Sequence, residues 1–174
     1  MLEDSTKTKF NYDGESKTYA QLLSQDNDFE IMIRADIKYE DIYVENEFYY
    51  QKNLLTYELF AYKDSFKDVI SIPLLANNLP VTTIGKYALS LNVFNKLSLS
   101  DSVIKIKSYA LCASKGKVFI PNTVTIINAN GLYLENGSVI YTEAASKKED
   151  WDSNWNSRFL TVNYSTSRAD FNNL

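Results

Sequence analysis

The sequence predicts a repeat solenoid of short stacked parallel strands joined by irregular or short helical arcs, preceded by a β-rich α+β unit. Three observations predict it. The second half repeats with a period near 21 residues, each repeat carries apolar residues alternating with period two, and the N-terminal part shares neither pattern. A period in this range marks units that leave one hydrophobic face uncovered and bury it only by stacking. With 174 residues, 45% of them apolar, the chain can bury roughly 70% of its unfolded surface without disulfide or metal support. The expected organisation is a β-rich capping unit over residues 1–65, a solenoid with its C-terminal cap over 66–164 and a tail over 165–174.

In the first unit, Thr18 and Gln21 have the T-x-x-Q spacing of a capping box and predict a short helix through Leu22 and Leu23. Phe29, Ile31 and Ile33 alternate as a strand, and Tyr57, Leu59 and Ala61 as another. Between them YEDIYVENEFYYQ is read as strand, although its tyrosines and acids also fit a helix. A solenoid exposes backbone and core at both ends, so this unit is expected to cover the first repeat.

The repeats align by position. Val81, Val103 and Val124 begin successive units; Ile84, Ile106 and Ile127 follow three residues later; Ala88, Ala110 and Gly131 supply a small residue, and Leu89, Leu111 and Leu132 come next. An alternating pair closes each unit: Leu97 with Leu99, Val118 with Ile120, Val139 with Tyr141, and Leu160 with Val162 one step further. Ile70 and Ile72 form an earlier pair, separated from the first unit by PLLANNLP. Residues two apart in a strand face one side, so each pair is expected to point inward. The outward positions are then Ser71, Ser98, Phe119, Ile140 and Thr161. Asn and Ser, together 34 residues, suit the tight turns between arcs because their side chains bond to nearby backbone.

The stretches VTTIGKYAL and VFIPNTV carry the order Val-x-x-Ile-Gly-x-x-Ala-Leu followed by a short strand ending in Ile-Pro-x-x-Val. In this the chain resembles the BspA-like leucine-rich repeats of bacterial surface proteins, over about Val69 to Tyr164. YTEAASKKEDWDSNWN is similar to the segment that follows the last repeat in that family. The resemblance implies a leucine-rich repeat solenoid at the cell surface or secreted, acting as a non-enzymatic module that binds a protein or glycan. It also implies that the sheet face is the binding surface.

Composition narrows the chemistry independently. There is no histidine and a single cysteine, Cys112, which removes Ser-His-Asp and Cys-His machinery, His-ligated zinc and any intramolecular disulfide. No cofactor and no metal site is expected. The acidic cluster Glu40, Asp41, Glu45 and Glu47 lacks the spacing of a calcium loop and reads as a solvated face. The remaining enzymatic alternative is a glycan-processing carboxylate pair at the junction of the two units; a third reading is a structural or assembly segment. Residues 1–68 carry a net charge of −7 and 69–174 a net of +3, and the basic half lacks the Arg-rich runs or stacking motifs of a nucleic-acid binder. The opening MLEDSTKTK is charged where an export signal needs an apolar stretch, and no apolar run reaches the ~18 residues of a membrane helix.

The candidate ligand-binding residues are Phe119 and Ile140, expected as adjacent apolar anchors on the sheet face, with Ser98, Ser71, Thr161, Lys96 and Lys117 around them. Either they form an open anchor or the N-terminal unit or tail covers them. Lys96 and Lys117 occupy matching positions on adjacent strands, so like charges meet unless an acidic group sits nearby; the pair reads as solvated lysines blunting the sheet face rather than as the mark of an anionic ligand. Trp151 and Trp155 fit the core of a terminal cap better than a sugar-stacking platform, and Cys112 reads as a small core residue.

Overall fold

The computed structural model describes residues 9–12, 15–18, 42–63 and 67–174. Strands β1 (Lys9–Tyr12) and β2 (Glu15–Thr18) form an antiparallel pair. Thr18 therefore ends a strand, and the rest of the predicted capping box and helix lies outside the described residues. So does the predicted strand at Phe29, Ile31 and Ile33.

The segment YEDIYVENEFYYQ contains two strands, β3 (Ile42–Glu45) and β4 (Phe48–Asn53). The turn between them places Asn46 and Glu47 at φ of 49° and 69°, the left-handed pair that matches the twist of a two-residue hairpin. Strand β5 (Thr56–Tyr62) completes an antiparallel meander with β4. β5 then pairs in parallel with β8 (Leu79–Ile84), the first strand of the aligned repeats. The N-terminal meander thus extends a solenoid sheet and satisfies its first edge.

Each turn of the solenoid supplies strands to two sheets. One sheet carries β8, β10 (Lys105–Ile106) and β12 (Ile126–Ile127) in parallel. The other is a five-stranded parallel sheet in the order β14, β13, β11, β9, β6. Its strands are β6 (Val69–Ser71), β9 (Val93–Ser98), β11 (Lys115–Ile120), β13 (Val139–Thr142) and β14 (Thr161–Asn163). PLLANNLP forms a small hairpin in which β7 (Leu75–Ala76) pairs with the start of β8. The arcs stack through backbone bonds such as Leu89 N–H to Ala110 O (2.9 Å) and Leu111 N–H to Gly131 O (3.2 Å).

The core follows the repeat frame. Val81, Val103, Val124, Ile84, Ile106, Ile127, Leu89, Leu111 and Leu132 are all fully buried, as are Leu97, Leu99, Val118 and Ile120. One frame position differs. Val118 pairs with Ile140, not Val139, and Ile120 pairs with Thr142. Ile140 and Thr142 therefore point inward, and Val139 and Tyr141 are half-buried on the outer face. The step from Val118 to Ile140 is 22 residues, one more than from Leu97 to Val118, where the β9–β11 register shifts between Lys115 and Lys117. A one-residue slip moves an entire strand's side chains to the opposite face.

Glycine is required at Gly116, where φ is +149°. It sits where the β9–β11 register shifts between Lys115 and Lys117, and a Cβ there would lie 2.1 Å from the Phe94 carbonyl oxygen. At the far end of the stack, Trp151 bridges to Ile127 and donates its ring N–H to Val124 O at 3.3 Å. Trp155 lies against it, ring centres 4.8 Å apart, and both are buried. They form the core of a terminal cap and leave no exposed platform for a sugar.

A covered face on the five-stranded sheet

The pairing of the five strands defines two outward rows. Ser71, Ser98, Phe119, Tyr141 and Asn163 form one, and Val69, Lys96, Lys117, Val139 and Thr161 the other. Of the expected site residues, Ser71, Ser98, Phe119, Thr161, Lys96 and Lys117 stand on this face. Ile140 does not: it is in the core, and Tyr141 is the neighbour of Phe119. The expected apolar pair is thus an aromatic pair.

The face is not open around Phe119, which is fully buried. After β14 the chain turns at Ser165 (φ 54°) and forms a five-residue helix, α1 (Arg168–Asn172), lying on the sheet. Ser167 caps it by accepting from the Asp170 N–H at 3.1 Å. Such a short helix has no stability of its own, and packing must supply it. Phe171, its single buried residue, sits over Phe119 and Tyr141 with ring centres 5.2 and 5.4 Å away.

Arg168 anchors the start of the segment. Its guanidinium donates to Ser98 Oγ (2.7 Å), Leu99 O (3.0 Å) and Asp101 Oδ1 (2.5 Å) and lies 4.7 Å from the Phe119 ring centre. The planar fork of arginine suits this divided set of acceptors and the ring beneath it. The lysines anchor the other end. Lys96 Nζ donates to Asn172 O at 2.7 Å, and Lys117 Nζ to Leu174 O at 3.4 Å. Lys96 and Lys117 are directly paired across the strands, so the acceptors presented by the helix end offset their mutual repulsion.

A concavity of about 410 Å³ lies between the meander and the edge strand β6. Phe48, Tyr50, Tyr62, Val69, Leu75 and Glu45 are among its lining. Tyr50 is fully buried, and its hydroxyl has no hydrogen-bond partner among the described residues. Burial, with a smaller contribution from the Glu45 charge, pushes its pKa well above 10.0. Glu45 is the one carboxylate lining this concavity among the described residues. Of the other members of the acidic cluster, Glu47 pairs with Lys67 at 2.8 Å, and Glu40 and Asp41 lie outside the described residues.

Among the described residues no cluster of potential ligands could hold a metal ion, and no helix is long and apolar enough to cross a membrane. Cys112 is half-buried in an arc, and burial pushes its thiol pKa up. The sequence singled out the two lysines but not their partners. Arg168 and Phe171 carry no periodic signal, and only their placement over Phe119 reveals them.

No protein-family profile matches the chain, and no curated protein sequence matches it. Among solved structures, it is similar to the crystal structure of the pneumococcal vaccine antigen PcpA, with a TM-score of 0.38 and 11% sequence identity. That match covers 59% of this chain and 40% of the other.

Proposed function

We propose that the chain is a non-enzymatic module of a bacterial cell-surface or secreted leucine-rich repeat protein of the BspA-like kind, binding a protein or glycan through the five-stranded face. The observation that carries this reading is the way the face holds α1. Aromatic rings, two lysines and a set of guanidinium acceptors converge on one short segment. Buried aromatic anchors ringed by polar contacts are the usual centre of a protein-recognition surface. Absence of histidine and the convergence of recognition groups on the face favour binding over catalysis.

A second reading, assembly, is favoured by the identity of the occupant: a face that accepts a segment of its own chain also fits that segment from another copy. The test is a screen of glycan and extracellular-protein arrays with the full chain and with Phe171→Ala, which loosens the cover. The expected result is a ligand bound more strongly by Phe171→Ala and weakened about tenfold or more by combining Lys96→Ala and Lys117→Ala. A screen with no face-dependent ligand, together with a dimer in solution, would replace binding by assembly.

A further inference from the structure

We propose that the outward face of the five-stranded sheet is a docking site for a peptide in which an arginine precedes an aromatic residue by three positions, and that α1 occupies this site in cis. The inference deepens the proposed function, since it rests on the face being a recognition surface and names the chemistry of its partner. Each end of the site carries complementary groups. At one end Ser98 Oγ, Leu99 O and the Asp101 carboxylate accept from the guanidinium of Arg168. At the other, Lys96 and Lys117 donate to the backbone oxygens of Asn172 and Leu174. Between them Phe119 and Tyr141 form the slot that receives Phe171.

These groups have no structural need for one another without an occupant. Two lysines directly paired across adjacent strands repel, and a large aromatic on the outward side of a strand is exposed apolar surface. A segment that lays an aromatic side chain and backbone carbonyl oxygens on the face answers both features, as α1 does with Phe171, Asn172 and Leu174. The segment contributes little shape of its own, being five helical residues with one buried side chain. Its attachment through Ser165 and Thr166, which bond to Ala144 O and Thr142 O at 2.9 Å each, gives it a high effective concentration. A free peptide of the same chemistry therefore competes poorly until the cis contact is weakened.

The experiment uses the full chain and a fluorescent peptide of sequence STSRADFNNL, residues 165–174, followed by anisotropy. The cis-weakened variants Phe171→Ala and Arg168→Ala should each bind this peptide at least about tenfold more tightly than the wild type. Adding Phe119→Ala to Phe171→Ala should reverse the gain, and a peptide with alanine in place of both Arg168 and Phe171 should not bind. Thermal melts identify any variant that fails to fold, and two independent cis variants keep the test decisive. Equal binding by wild type and both variants would overturn the proposal, as would equal binding of the alanine peptide. A wild-type dimer in sedimentation velocity that excludes the peptide would also overturn it, assigning the face to a second copy. Peptide binding as expected with no ligand on the arrays would remove the functional reading alone, whereas a face-dependent glycan without peptide binding would remove this one alone.

Discussion

Removing the two rings that meet across the covered face, singly and together, measures how the face and α1 depend on each other. Phe119 and Phe171 are buried to 0% and 1% exposure, with Phe171 packed over Phe119 and Tyr141 and the Arg168 guanidinium over Phe119. Losing one buried phenylalanine forfeits about 1.5–3 kcal/mol of burial, and a truncated ring in a rigid core costs about 3–5. The face is not a rigid core, because α1 can lift away once either ring is gone. We therefore predict about 2–3 kcal/mol for Phe119→Ala and for Phe171→Ala, nearer the burial value than the core value.

The double variant should cost only about 3–3.5 kcal/mol, since the second truncation removes a contact that the first has already broken. The coupling is then about 1–2.5 kcal/mol, of which about 0.5–1.5 belongs to the ring pair itself. Urea unfolding followed by circular dichroism, with the buried Trp151 and Trp155 as fluorescence reporters, gives all four free energies. Additivity within about 0.5 kcal/mol would refute the reasoning. It would mean that Phe119 is buried by something other than α1.

Three further predictions concern the solenoid and the meander that extends it. Leu111→Asp should unfold it, because Leu111 is fully buried between the equivalent Leu89 and Leu132 and an unpaired buried carboxylate costs several kcal/mol of a total near 5–15; a circular dichroism melt like that of the wild type would sink the repeat frame. Gly116→Ala should lower the melting temperature sharply, because the new Cβ meets the backbone oxygen of Phe94, which cannot swing aside as a side chain can; an unchanged melting temperature would contradict the bulge geometry. Alkali should destabilise the fold through Tyr50, whose folded pKa is raised above its ordinary 10.0. Its contribution is fully present below about pH 10 and is lost as pH rises toward the folded value, because the unfolded phenol ionises first. Tyr50→Phe should flatten that decline in a pH series of urea midpoints, and an identical slope in the two proteins would exclude Tyr50 as its source.

Much of the stacked core is legible in the sequence because one rule acts on each residue locally. Val81, Ile84 and Leu89 recur as Val103, Ile106 and Leu111 and as Val124, Ile127 and Leu132, and every repeat must bury the same positions against its neighbours. The end caps follow from the same physics, since open ends are costly wherever they lie. The fourth strand was not legible. VIYT offers apolar residues at both parities, and the choice between Val139 and Ile140 rests on its pairing with β11, itself shifted in register against β9 at Lys115 and Lys117. That is decided by hydrogen-bond register with the neighbouring strand.

The composition and period of this sequence alone determine a histidine-free, disulfide-free repeat solenoid and place Lys96, Lys117 and Phe119 on one sheet face. Only the tertiary structure decides that the face is covered, that Ile140 turns inward and that Arg168 and Phe171 complete the site. Periodicity reports contacts between neighbouring turns, which every repeat must make alike. The contact between α1 and the sheet is made once, between residues up to 76 apart in the chain, and its partners share no pattern to be read in advance. It is selected by ring fit and charge complementarity after the solenoid has brought its strands into register.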